Sequence, residues 1–148
     1  MCGAMRRTTV AFGALSLALA LLGGCDRRVA QCNRLIDTIN DEQPKLAKAV
    51  RQGPGQEPTP EALESFAKEL DKLITKIKGL HLKDDKVVAY RDSYAMLAEG
   101  IATAARKTAA SFEDHAEATK AAAELNSFRD REKALVKQIN DYCSGRGS

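Results

Sequence analysis

Apolar residues in this chain recur at alternating intervals of three and four positions along four separate stretches, and this spacing constrains the fold more than any other feature. Such an interval returns each apolar residue to the same side of an α-helix, whereas a strand requires an interval of two. Aromatic residues make up only 5% of the chain and tryptophan is absent, which favours helices over strands. The spacing therefore predicts an all-α domain of four amphipathic helices.

The inward-facing positions of each helix follow from this spacing. In the first helix, predicted from about Arg27 to Val50, they are Val29, Cys32, Ile36, Ile39, Gln43, Leu46 and Val50. In the second they are Leu63, Phe66, Leu70, Leu73, Ile77 and Leu80, and in the third Val87, Tyr90, Tyr94, Leu97, Ile101 and Ala104. In the fourth they are Ala118, Ala121, Leu125, Phe128, Leu135, Ile139 and Tyr142, with the polar Glu132 as the one misfit in that stripe.

Residues that start or end helices separate the four segments. Proline inside a helix removes a hydrogen bond and clashes one turn back, so we expect a kink or short break near Asp41–Pro44. Residues 53–60 contain three prolines and two glycines and form a loop. The second helix is expected to begin with a cap at Thr59, which precedes Pro60, and to end at Gly79. Caps of the third and fourth helices are expected at Asp84 or Asp85 and within residues 111–114.

Short connections make successive helices antiparallel, so the four segments form an up-down-up-down four-helix bundle. In that arrangement the start of the first helix, the turn between the second and third helices, and the C-terminus share one end. A three-helix bundle, in which the third and fourth segments merge into one helix, fits the same apolar stripes.

The N-terminal residues have the features of an export signal. Arg6 and Arg7 precede an uncharged, largely apolar run from Val10 to Leu22, which is shorter than the roughly 20 residues that span a membrane. The run ends in an aliphatic residue, two small residues and a cysteine, Leu22-Gly23-Gly24-Cys25. This stretch resembles the lipobox of bacterial lipoproteins, and the resemblance covers residues 1–25. It implies a signal peptide at residues 1–24, lipidation of Cys25, and one mature domain at residues 25–148. An ordinary secretory signal and a buried N-terminal helix are the alternatives.

The resemblance also decides how the four cysteines are used. Cys2 would be removed with the signal and Cys25 would carry lipid, which leaves Cys32 and Cys143 near the two ends of the mature domain. Export places both in an oxidising compartment, so we predict a Cys32–Cys143 disulfide that joins the first and last helices. Two buried free thiols are the alternative. The helix pattern independently places these two cysteines at the same end of the bundle.

Composition and motifs exclude several function classes. Of the 23 lysines and arginines, two lie in the signal segment, so the mature part has 21 basic and 20 acidic side chains. A near-neutral domain with few aromatics is a poor match for a nucleic-acid-binding protein. His81 and His115 are the only histidines and fall at opposite ends of the predicted bundle, so they cannot share a metal. The sequence contains no serine-nucleophile motif, HExxH pair or glycine-rich phosphate loop.

These observations predict a lipid-anchored lipoprotein of the bacterial envelope, in the cell membrane or outer membrane, with its domain outside the cytoplasm. We expect a non-enzymatic structural or interaction module that binds other envelope proteins through its charged helical faces, without a cofactor. The alternative function is a bundle that holds a ligand or cofactor, such as a metal or haem carrier, in which Tyr90 and Tyr94 could line a groove.

Overall fold

The computed structural model describes residues 23–50 and 58–145, with side chains from residue 27 onward. These residues form four helices: α1 (Gly23–Val50), α2 (Pro60–Lys78), α3 (Asp85–Ala110) and α4 (His115–Cys143). The predicted all-α fold is confirmed. The three-helix alternative is wrong, because a turn at residues 111–113 separates α3 from α4. Most of the predicted signal peptide and most of the predicted loop at residues 53–60 lie outside the described residues.

The caps predicted for the last three helices are present. In each case a side-chain oxygen of the capping residue, Thr59, Asp84 or Asp114, accepts a hydrogen bond from backbone amides in the first turn of its helix. Gly79 ends α2 as expected, but with φ −74° and ψ −7°. That conformation is right-handed, so this helix end does not require a glycine.

Pro44 does not break α1. The helix continues from Gly23 to Val50, so the break expected near Asp41–Pro44 does not occur. The missing amide of Pro44 leaves the carbonyl of Asn40 without its helical donor. Both residues are exposed, so water can satisfy that carbonyl at little cost.

Each helix packs mainly against the next one along the chain. α1 contacts α2, α2 contacts α3, and α3 contacts α4 extensively, whereas α1 touches α4 at only a few positions. In the described residues no Cα atom of α2 lies within 8 Å of a Cα atom of α4. The helices therefore follow one another around the bundle, and the interface between α1 and α4 is largely open.

The core is concentrated where α1, α2 and α3 meet. Its largest fully buried side chains are those of Leu35, Leu73, Ile77, Val87 and Cys32. Toward the end of the bundle away from the disulfide, the buried residues of α3 are small and let this helix pack closely against its neighbours: Ala95, Ala98, Ala102, Ala104 and Ala105. Leu46, Leu63 and Leu70 are the large buried side chains there. α4 contributes only Ala121 and Ile139 as buried residues.

The predicted disulfide between Cys32 and Cys143 is confirmed. It joins α1 to α4, its two Cα atoms are 5.7 Å apart, and Cys32 is fully buried. The first and last helices are therefore covalently linked at one end of the bundle.

Candidate functional site

Burial along α1 is rotated relative to the predicted stripe. The buried residues are Cys32, Leu35, Ile39, Glu42 and Leu46. The predicted inward residues Val29, Ile36, Gln43 and Val50 are instead partly or fully exposed, and Val29 is 40% exposed. Successive residues of a helix point 100° apart, and on this basis the mean direction of the buried residues differs from that of the predicted inward residues by about 50°, toward α2. The cause is the missing α4 contact: α2 covers one flank of the apolar stripe, and the other flank stays open.

The fourth helix has the predicted register but is buried only shallowly. Leu125, Glu132 and Val136 point within about 20° of the direction of Cys143, which faces α1 through the disulfide. Val136 is 37% exposed, and Leu125 and Glu132 are half-buried. These residues therefore face α1 without being covered by it.

We call the resulting surface the α1–α4 seam. From their direction on the helices and their exposure, we assign to it Ile36, Gln43, Ala47 and Val50 from α1 and Leu125, Glu132 and Val136 from α4. A cavity of about 210 Å³ opens at this seam, and all four helices line it. The lining is apolar apart from Gln43, Tyr94 and Glu132. Glu132, the polar misfit of the predicted fourth stripe, thus shares one site with Gln43 of α1.

Tyr94 and Glu132 form the polar centre of this cavity. Tyr94 is only 4% exposed, and its hydroxyl donates a hydrogen bond to Oε1 of Glu132 at 3.0 Å. Burial raises the pKa of Tyr94, and the negative charge of Glu132 raises it further, so the hydroxyl keeps its proton at neutral pH. Glu132 makes no ion pair with any described residue. The cavity therefore contains a carboxylate that is oriented by a hydroxyl and has no basic side-chain nitrogen of the described residues within 4 Å.

The opposite end of the bundle is closed by a set of side-chain contacts around Tyr142. Its hydroxyl donates to both carboxylate oxygens of Asp84, at 3.1 and 3.2 Å, and its ring packs edge-on against Tyr90 at 5.8 Å. The guanidinium of Arg28 lies 5.1 Å from the centre of the same ring. Gln31 accepts hydrogen bonds from the backbone amides that precede α3, at 3.0 Å from Asp84 N. The start of α1, the α2–α3 connection and the end of α4 thus share one end, as predicted.

The predicted lipidation residue belongs to this closed end. α1 begins at Gly23, so the backbone of Cys25 lies in its first turn, seven residues before Cys32. At 1.5 Å per residue, about 10 Å of helix axis separates Cys25 from the disulfide. The cavity lies at the other end of α1, where Gln43, Ala47 and Val50 line it.

A buried ion pair on α1 was missed by sequence reasoning. Glu42 is 3% exposed, and its carboxylate accepts hydrogen bonds from Lys45, at 2.8 Å, and from Lys76 of α2. The hydrogen bond from Lys45 and then that from Lys76 lower the pKa of Glu42, although burial acts in the opposite direction. The sequence did not indicate this burial, because Glu42 lies on the core side only after the buried face of α1 is rotated toward α2.

The remaining candidate groups do not converge. His81 lies in the α2–α3 connection and His115 at the start of α4, both exposed. Across residues 23–50 and 58–145, no group of three or more His, Cys, Asp or Glu side chains is arranged to hold a metal ion. Of the two tyrosines expected to line a groove, Tyr94 does so, whereas Tyr90 packs against Tyr142.

None of the helices in the described residues is both long and apolar enough to cross a membrane. The chain matches no protein-family model, and no characterised protein or solved structure is significantly similar to it. What can be said of its function therefore rests on its own residues and their arrangement.

Proposed function

We propose that this protein is a lipoprotein of the bacterial envelope, anchored through lipid on Cys25, that binds a partner protein at the α1–α4 seam. The main support for this proposal is the contrast between the two ends of the bundle. The end that contains Cys25 is closed by the disulfide and the Tyr142 contacts. The seam and its cavity lie at the other end.

This arrangement suits a domain that works just outside a membrane. From Cys25 to Gln43 and Val50, α1 rises about 27 and 37 Å, so a lipid on Cys25 would leave the cavity clear of the headgroups. Two or three acyl chains anchor a protein stably, whereas a single chain does not. The disulfide lies within about 10 Å of the anchor and prevents α1 from separating from α4 when the anchor is pulled.

The uncovered apolar side chains favour the seam as the binding surface. Contiguous apolar surface on an otherwise polar protein marks interaction sites more often than scattered apolar residues do. The charged faces are a weaker candidate, because many of their charges are paired locally, as in Glu69–Lys72, Glu117–Lys120 and Lys137–Asp141. Such exposed pairs contribute little to stability. The uncovered apolar side chains therefore lead us to place the contact at the seam, with the charged helical faces as the alternative.

The anchor is tested by mass spectrometry of protein extracted gently from its own membranes. The expected mass is that of residues 25–148 plus acyl groups, less the two hydrogens lost to the disulfide. Cys25→Ser is expected to leave an unprocessed precursor or to release the domain from membranes. A variant that is processed and lipidated like the wild type would show that Cys25 is not the anchor.

The seam is tested by photo-crosslinking in intact cells. A photoreactive amino acid at Val136 faces the seam, whereas one at Ala134 is exposed on another side of the same helix and serves as the matched control. We expect one defined protein adduct from position 136 and none from position 134. Equal adducts from both positions, or none from position 136, would exclude the seam as a protein-binding surface.

A ligand-holding function is the second candidate, and the cavity with Tyr94 and Glu132 is the observation in its favour. Native mass spectrometry of the extracted protein separates the two functions. Additional mass that remains bound would support a ligand carrier, and its loss in a Tyr94→Phe variant would place the ligand in this cavity.

A further inference from the structure

We infer that the segment covering the seam is an amphipathic helix of a second protein that places one lysine or arginine against Glu132. This inference rests on the proposed function and specifies the chemistry of its partner. Three features support it: the shape of the seam, the position of the Glu132 carboxylate, and the orientation that a membrane anchor would impose.

The shape of the seam fits a helix. α1 and α4 are antiparallel helices, joined by the disulfide at one end and largely out of contact beyond it. Apolar residues of α1, α2 and α3 line the cavity, and α4 contributes Glu132 to it. On α4, Leu125 and Val136 lie within about 20° of the direction of Cys143 and stay partly exposed. From Ile36 to Val50 the α1 side is about 21 Å long, the length of a helix of roughly 14 residues. A helix that inserts apolar side chains at intervals of three and four residues would bury these surfaces.

The charge at the floor specifies one residue of that helix. Glu132 lies among apolar residues, and the hydroxyl of Tyr94 occupies its Oε1 atom. A purely apolar helix laid over the seam would remove this carboxylate from water without a counter-charge. An unpaired buried charge costs several kcal/mol, whereas a lysine or arginine positioned opposite would form a charge-assisted hydrogen bond. The partner helix therefore needs a basic residue at the level of Glu132.

The same charge disfavours a second copy of this chain as the occupant. Two copies anchored in one membrane surface stand parallel, with their closed ends toward the lipid. A seam-to-seam contact about a two-fold axis would then place their two Glu132 carboxylates at the same height. Like charges brought together in an interface cost several kcal/mol. A different chain with a basic residue avoids that repulsion.

The experiment is a selection from a displayed library of 14-residue helices, randomised at the positions of one face. The bait is the full lipidated protein in lipid nanodiscs. Wild-type protein is expected to enrich apolar residues at spacings of three and four, with lysine or arginine at one central position. Glu132→Gln keeps an acceptor for Tyr94 and should abolish the basic preference, and Glu132→Lys should replace it with aspartate or glutamate. Glu124→Lys is the matched control, because Glu124 is on the same helix but faces Lys107 of α3.

Three further results decide the outcome. A basic preference that persists in Glu132→Lys would overturn the inference, and so would selection of apolar helices with no basic residue. In both cases a crosslink from position 136 would leave the proposed function standing. Binding by the selected peptides should fall at least tenfold on an Ala47→Arg variant, which fills the seam at an exposed position. If the same peptides bind that variant equally well, they bind elsewhere and the seam is not their site.

Discussion

Reducing the Cys32–Cys143 disulfide should lower the stability of this domain more than any single side-chain change. The bond spans 111 residues, and a loop of that size gives about 5 kcal/mol at 25 °C from chain entropy alone. The unfolding entropy near Tm is about 2.1 cal/mol/K per residue, or about 0.26 kcal/mol/K for a domain of about 120 residues. The expected fall in melting temperature is therefore about 20 °C.

Reduction should lower the melting temperature without unfolding the helices at 25 °C. α1 and α4 share few contacts beyond the disulfide, so little other packing holds the two helices together. The Tyr142 contacts remain after reduction, and the helices should therefore persist at 25 °C. Reduced protein should show nearly the same helical circular dichroism signal as oxidised protein and a much lower melting temperature.

The measurement is calorimetry of the protein extracted from its membranes in detergent, with and without a phosphine reductant. The lipid proposed on Cys25 would block that thiol, so the reductant would act on one bond only. Cys143→Ala, recorded without reductant, is the matched control and should melt close to the reduced wild type. A difference below about 5 °C between oxidised and reduced protein would show that the chain-entropy reasoning fails for this fold.

Three smaller changes test particular contacts, each by thermal or denaturant unfolding. Gly100→Ala should destabilise the fold by about 1 kcal/mol despite its gain in helix propensity, because the new Cβ would lie 2.6 Å from Cε1 of Phe128. In a Phe128→Ala background, which removes that ring, the same substitution should stabilise the fold. Gly79→Ala, whose Cβ meets nothing closer than 3.4 Å, is its control and should be nearly neutral. Glu42→Gln should lower the free energy of unfolding by about 2 kcal/mol at pH 7. Because the folded pKa of Glu42 is lowered, the stability difference between wild type and variant should vanish as the pH falls below 4.5 through that lowered pKa. A difference that stays constant with pH would exclude the ion pairs as its cause. Tyr142→Phe should cost about 1 kcal/mol by removing the bond to the α3 cap, and an unchanged melting temperature would contradict that bond.

Local features of this fold were predictable because they depend on nearby residues. A cap at Thr59 or Asp114 requires only a side-chain oxygen close to the backbone amides of the first helical turn, and these groups belong to a few consecutive residues. The interruption at residues 111–113 likewise separates α3 from α4. Pro44 shows the limit of such reasoning, because an exposed carbonyl on α1 removes most of the cost that a proline would otherwise impose.

Only part of the candidate site could be predicted from the sequence. Glu132 stood out as a polar residue within an apolar stripe, yet nothing local indicated that it shares a cavity with Gln43. Their meeting depends on two helices about 90 residues apart in the chain. Glu42 was missed for a related reason, since its burial depends on how far α1 rotates toward α2.

The sequence by itself determined the helices, their caps, their order and the cysteine pair that joins the first to the last. These features follow from residue spacing and from the chemistry of short segments. Only the tertiary structure decided which flank of each apolar stripe is covered, because burial depends on the partner helix and not on the stripe. α1 turned toward α2 while α4 packed mainly on α3, and so the open seam exists only in the assembled bundle.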